Sequence, residues 1–131
     1  MKKAKRIFLV VISVFFILLI SQQIYDRVDM GGNLSFLISY GRSSDLPIPS
    51  FEIYLDGEKV AEGKLTGWYK DVVLKTSLKN HTAVVKINGK ASEEIKFNTF
   101  LVTHILVDYR GEDDEQPFSI SIYKHRWIFL L

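Results

Sequence analysis

The feature that most constrains this chain is an apolar run close to its amino terminus. Thirteen of the 14 residues from Ile7 to Ile20 are apolar, and four basic residues precede them: Lys2, Lys3, Lys5 and Arg6. A basic segment followed by an apolar run of this length is typical of an export signal. The basic residues and the apolar run together therefore form a targeting segment that is distinct from the rest of the protein.

As a membrane span, the run alone is short. Its 14 residues would cover roughly 21 Å as a helix, against a hydrocarbon core of ~30 Å. A helix that continues to Tyr25 covers about 28 Å and places the Tyr25 ring at headgroup level. We expect apolar side chains of this helix to face lipid, among them Ile7, Phe8, Phe15, Phe16 and Ile20.

The charges that flank the run predict its orientation and its fate. Four basic residues precede it and only Arg27 follows soon after, which predicts a cytoplasmic amino terminus. Signal peptidase requires small residues at two positions before its cleavage site, and the segment Leu18 to Gln23 offers no such pair. We therefore predict an uncleaved, single-pass signal anchor with the carboxyl-terminal domain outside the cytoplasm. A cleaved signal, which would give a secreted protein, and a helix buried in a soluble protein are the alternatives.

The charge of the remainder bears on its partners. Four of the 17 basic residues belong to the anchor, which leaves 13 against all 15 acidic residues. Nucleic-acid binding depends on clustered Lys and Arg that neutralise phosphates, so this balance argues against it. The expected partners are the lipid bilayer and a protein of unknown identity.

Beyond the anchor, the pattern is that of a β-protein. Residues 26–33 are polar and contain Gly31-Gly32, which predicts a short tether between a segment 1–25 and a domain 34–131. Apolar and other residues alternate in several segments, as from Leu34 to Tyr40, which is typical of strands. Asp56-Gly57 and Asn88-Gly89 are dipeptides that favour tight hairpins.

The number of these segments predicts the fold class. About seven to nine short strands, with turn signals at roughly 8 to 12 residue spacing, favour an all-β domain. We predict a small antiparallel β-sandwich of immunoglobulin-like or transthyretin-like topology. Thr99 to Tyr109, apolar on both faces, should be a strand in the middle of a sheet. Trp127 to Leu131 should complete the sandwich, or else offer an edge for strand addition by a partner.

Residues that could support catalysis or metal binding are scattered. His81, His104 and His125 lack the spacing of zinc ligands, so no metal site is predicted. The acidic stretch from Glu112 to Glu115 reads as a solvated loop rather than a catalytic or calcium site. No nucleophile elbow, phosphate loop or dinucleotide motif occurs. The chain has no Cys, which excludes thiol chemistry and a lipoprotein acylated on Cys at the signal cleavage point. We predict a protein that is not an enzyme and uses no cofactor.

Two aromatic residues are the candidate binding residues. Trp68 and Tyr69 follow Gly67 in what should be an exposed connection, where their rings could stack on a sugar or a partner. The alternative is that they fill the core. The sequence thus favours a membrane-anchored protein-interaction or envelope-assembly module, with a carbohydrate- or ligand-binding module as the second hypothesis.

Overall fold

A computed structural model describes residues 1–40, 48–111 and 114–124 of the chain. Within these residues lie one long helix and nine strands: α1 (Lys2–Met30), β1 (Leu34–Tyr40), β2 (Ser50–Leu55), β3 (Glu58–Lys64), β4 (Tyr69–Leu74), β5 (Asn80–Ile87), β6 (Lys90–Ala91), β7 (Ile95–Asn98), β8 (Thr103–Tyr109) and β9 (Phe118–Lys124). The segment Trp127 to Leu131, together with His125, Glu112 and Asp113, lies outside the described residues.

The helix α1 is long and apolar enough to span a membrane. Only 11% of its most apolar 18-residue window is buried, whereas the core helix of a soluble protein is mostly buried. The apolar side chains predicted to face lipid are all at least 43% exposed: Ile7, Phe8, Phe15, Phe16 and Ile20. This stretch of the helix therefore presents apolar side chains to its surroundings on nearly every side.

The helix ends at Met30 rather than at Tyr25, so residues 26–30 of the predicted tether are helical. Gly31 adopts a left-handed conformation (φ 79°), and its N–H donates to the carbonyls of Arg27 and Val28. The N–H of Gly32 also donates to the Arg27 carbonyl, at 3.0 Å. This double capping is the Schellman arrangement, in which glycine ends a helix because it tolerates positive φ. The two glycines are thus a helix stop and not a flexible linker.

The strands form two sheets. In the first sheet the order is β4-β1-β8-β9, and in the second it is β3-β2-β5, with β6 and β7 both paired to β5. These findings confirm an all-β domain in two sheets. Strands β1 and β8 run parallel, whereas the other pairs are antiparallel. The predicted antiparallel pairing is therefore wrong for β1 and β8. Between β1 and β8 the chain forms β4 and all the strands of the second sheet. A connection of this length can bring β8 back beside β1 in either direction, whereas a short hairpin allows only antiparallel pairing.

A single core lies between the sheets, because alternate residues of each strand point inward. In β5, for example, Ala83, Val85 and Ile87 are buried while the residues between them are half-buried. Both sheets contribute to this core, which includes Leu34, Phe36, Ile38, Phe51, Ile53, Leu65, Ile95, Phe97, Ile105 and Val107. The alternation found in the sequence is thus the pattern of a two-sheet interior.

Both predicted hairpin turns are present. Asp56 and Gly57 have φ of 52° and 85°, and Asn88 and Gly89 have φ of 51° and 82°, which are the positive values that a type I′ turn requires. The return strand expected after Gly89 is divided into β6 and β7. The division occurs at Ser92, whose hydroxyl accepts a hydrogen bond from the Val85 N–H at 3.0 Å. One extra residue on this side of the ladder makes a bulge.

Candidate binding surface and helix–domain junction

The first sheet has one end beside the helix and one end away from it. Three residues separate the end of α1 from the start of β1, so Leu34 is close to the helix and Tyr40 is remote. Strand β4 is antiparallel to β1, with Leu74 opposite Leu34 and Tyr69 opposite Ser39. At about 3.3 Å per residue, the two ends of β1 are roughly 20 Å apart. We call them the proximal end and the distal end of the domain.

The predicted binding residues lie at the distal end. Trp68 is 76% exposed and Tyr69 is 64% exposed, so both rings are on the surface rather than in the core. Tyr69 opposes Ser39, which opposes Asp108, and the Ser39 hydroxyl donates to Asp108 Oδ1 at 3.3 Å. Residues opposite one another in neighbouring strands project to the same side of a sheet. The Tyr69 ring therefore stands in a row with a hydroxyl and a carboxylate.

The next row of the same face is more apolar. Asp71, Leu37, Leu106 and Ser121 are opposite one another across the four strands, and both leucines are half-buried. Together with Trp68, these two rows make what we call the distal face. It combines exposed rings, aliphatic side chains and hydrogen-bonding groups.

A serine and a histidine meet on this sheet nearer the proximal end. His104 Nδ1 lies 2.5 Å from Ser35 Oγ. Ser35 is only 3% exposed, so a substrate could not reach its hydroxyl. Asp108, on the same side of β8, is four residues from His104, about 13 Å along the strand, and cannot orient the imidazole. The Ser35 hydroxyl is therefore closed to a substrate, and Asp108 does not form a triad with this pair.

His81 connects two turns at the proximal end. Its Nδ1 lies 2.6 Å from Asp56 Oδ2 and its Nε2 lies 2.8 Å from the Ser77 carbonyl. Its side chain is buried and stacks on Phe97. The Thr82 N–H and the His81 ring lower the pKa of the Asp56 carboxyl. Both imidazole nitrogens already have partners, so the geometry gives His81 a role in holding the turn of the β2–β3 hairpin.

The helix contacts the domain through its last turns. Gln23 Oε1 accepts a hydrogen bond from the Val102 N–H at 3.3 Å, and Arg27 Nη2 donates to the Phe100 carbonyl at 3.1 Å. Leu19, Gln23 and Arg27 are spaced four residues apart and share one side of the helix. Leu19 and Gln23 are the two buried residues of the described helix, at 5% and 7% exposure. The helix is therefore docked on the domain rather than merely joined to it.

Asn33 completes this junction. Its N–H donates to the Leu74 carbonyl, and its own carbonyl accepts from the Thr103 N–H at 3.0 Å. Its side-chain amide makes hydrogen bonds in both directions with the Thr76 backbone, at 2.8 and 3.0 Å. Asn33 thus joins β4 to β8 directly after the helix stop.

The junction was not predicted from the sequence, where residues 26–33 read as a tether. A signal for part of it exists, since two glycines after a helical segment mark a helix end. Gln23, Arg27 and Asn33 have partners that are distant in the chain, and no local pattern reveals those contacts.

No family model, curated protein or solved structure gives a significant match to this chain. The functional argument therefore depends on the chain's own chemistry and geometry.

Proposed function

We propose that this protein is a single-pass membrane protein that presents a β-sandwich domain outside the cytoplasm and acts there as a protein-interaction or envelope-assembly module. The observation that carries the proposal is α1, which exposes apolar side chains along its amino-terminal two thirds and then docks on the domain. Water would disfavour so large an apolar surface, and lipid would cover it. The four basic residues before the run favour an amino terminus in the cytoplasm.

The distal face is the surface we assign to the partner. Exposed Trp and Tyr side chains are enriched where proteins bind one another, because they bury large areas at little entropic cost. Trp68 and Tyr69 lie on the end of the domain that points away from the helix, where a membrane does not block access. An immunoglobulin-like or transthyretin-like sandwich would suit such a role, since loops and sheet faces are its usual binding sites.

Site-specific crosslinking tests this assignment. A photoreactive amino acid at Trp68 or Tyr69 should capture a defined protein in cells that make the full chain. The same group at Val60, an exposed apolar side chain on β3 in the other sheet (39% exposed), is the control. Discrete adducts at 68 and 69 but not at 60 support the assignment. Adducts that are absent or equal at the three positions contradict it.

The exposure of the two rings also favours a second candidate, a carbohydrate- or ligand-binding module. Aromatic rings can stack on a sugar, and neighbouring carboxylates and hydroxyls can accept hydrogen bonds from the sugar's hydroxyl groups. Binding of the purified chain to a glycan array, lost on replacing both Trp68 and Tyr69 with Ala, would favour this function. Absence of glycan binding, or binding that the double variant retains, would exclude it.

A further inference from the structure

We propose that the loop Thr99–Val102 is a second membrane contact, seated at the outer boundary of the bilayer with the Phe100 ring among the lipid chains next to the headgroups. The inference rests on the proposed membrane span of α1. It adds that the domain itself touches lipid at its proximal end.

The contacts with α1 place the loop along the helix. Side chains on a helix lean toward its amino terminus, so Gln23 and Arg27 reach back to meet the loop. Gln23 accepts from the Val102 N–H and Arg27 donates to the Phe100 carbonyl. The loop therefore lies beside the turn that follows Leu19, where the apolar run of the helix ends at Ile20.

The length of the apolar run points to lipid at this level. From Ile7, a span of the ~30 Å hydrocarbon core takes about 20 residues and reaches the region of Asp26. The run itself ends at Ile20, and Ser21, Gln22 and Gln23 follow. Gln23 is only 7% exposed, because its side chain is turned to the domain. The loop thus covers Gln23, a polar helix position that would otherwise face the outer part of the bilayer.

Phe100 is the exposed residue of a loop whose two ends are buried. Its ring is 55% exposed, whereas Thr99 and Val102 are fully buried. The Thr99 N–H donates to the Lys79 carbonyl and its hydroxyl donates to the Ser77 carbonyl. The Val102 N–H, on the other side of Phe100, donates to Gln23, so the backbone is held on both sides of the exposed ring. An exposed and wholly apolar ring is favoured where lipid chains, rather than water, cover it.

The lack of Cys allows a direct test, because any Cys introduced is unique. The full chain with Phe100→Cys carries a nitroxide spin label and is reconstituted in vesicles of phosphatidylethanolamine and phosphatidylglycerol. Collision rates with oxygen, which partitions into lipid, and with a water-soluble nickel chelate report the depth of the label. Trp68→Cys is the matched control, since Trp68 is an exposed aromatic at the distal end.

The proposal predicts an oxygen-to-nickel collision ratio several-fold higher at position 100 than at position 68. Equal ratios would overturn it, and so would a label at 100 that neither reagent reaches, which would indicate a protein contact instead. Flotation of the vesicles after an alkaline wash separates the two proposals. A chain that does not float refutes the span itself, whereas a floating chain with equal ratios refutes only the loop contact.

A second variant guards against disturbance of the loop by the label. Phe100→Trp keeps an aromatic ring, and its added emission over that of the parent chain should be quenched by lipids brominated near the headgroup. Added emission that brominated lipids leave unchanged would contradict the proposal.

Discussion

At the scale of single residues, the side chains that organise this protein are polar and partly buried. Asn33 and His81 each connect segments that are far apart in the chain. Buried polar groups stabilise a fold only when their hydrogen bonds are made. The bonds from the Asn33 side chain to the Thr76 backbone and from His81 to Asp56 and Ser77 are 3.0 Å or shorter. Their replacement should therefore be costly although neither residue belongs to the apolar core.

Replacing Asn33 with Ala should lower the free energy of unfolding by about 1–3 kcal/mol, since it leaves the Thr76 N–H without its acceptor. Thermal and denaturant unfolding of the detergent-solubilised chain measures this loss. Ser121→Ala, at an exposed position of β9, is the control and should change stability little. An Asn33→Ala chain as stable as the control would show that the junction does not depend on this side chain.

The lowered pKa of Asp56 predicts how stability depends on pH. Because the folded pKa lies below the unfolded value of about 3.9, the ionised carboxylate stabilises the fold above that value. This contribution is lost as pH falls through the folded pKa. The unfolding free energy of the parent chain should therefore fall more steeply in acid than that of Asp56→Asn. His81 and Lys79, the other groups that act on the Asp56 carboxyl, are present in both the parent chain and Asp56→Asn. Parallel pH profiles would refute the assignment.

At the scale of elements, short sequence patterns predicted the strands and turns that depend on neighbouring residues in the chain. Alternation from Leu34 to Tyr40 predicted β1 with its observed bounds, and Asp56-Gly57 and Asn88-Gly89 predicted both turns. The position of β8 between β1 and β9 also follows from its apolar character on both faces. The predicted start at Thr99 was wrong, because β8 begins at Thr103 and residues 99–102 form a loop held by Lys79, Ser77 and Gln23, which are distant in the chain. The parallel pairing of β1 with β8 could not be predicted in this way, because it depends on the path of the second sheet.

The two glycines at the end of α1 also differ in whether a local or a distant contact explains them. Gly31 has a local reason, its positive φ, but Gly32 has a tertiary one: a Cβ at this position would overlap the Leu74 carbonyl and the Val73 side chain. The sequence shows two glycines and cannot show that the second is required by a neighbouring strand. For the candidate binding surface, Gly67 indicated an exposed connection at Trp68 and Tyr69. The rows of Ser39, Asp108 and Leu106 became visible only with the strand register.

This difference between the glycines gives a test of the docked junction. Gly32→Ala should destabilise the domain by about 1–3 kcal/mol, because β4 must move away. Gly31→Asn is the comparison, since nothing surrounds that position and Asn tolerates a left-handed conformation at a helix end. Denaturant unfolding should rank Gly32→Ala clearly below Gly31→Asn. The reverse order would mean that the chain at Gly32 is not held against β4.

At the scale of the whole molecule, the helix and the domain have different surfaces. Most side chains from Ile7 to Ile20 of α1 are apolar and exposed, whereas the domain encloses an apolar core between two sheets and exposes individual apolar side chains such as Trp68 and Phe100. The docked junction connects them, and the strand register places Trp68 and Tyr69 toward the end of the domain that is remote from the helix. The proposed account follows from this arrangement: a span in the membrane, a domain outside the cytoplasm and a binding surface turned away from the bilayer.

The most direct test of that account is the side of the membrane on which each end of the chain lies. In a chain without native Cys, Ala4→Cys and Trp68→Cys each introduce one thiol, and both retain the four basic residues before the span. A maleimide that cannot cross membranes is added to spheroplasts or intact cells, and then to lysed cells. The account predicts labelling of position 68 before lysis and of position 4 only after lysis. Labelling of position 4 in unlysed cells, or of position 68 only after lysis, would contradict it.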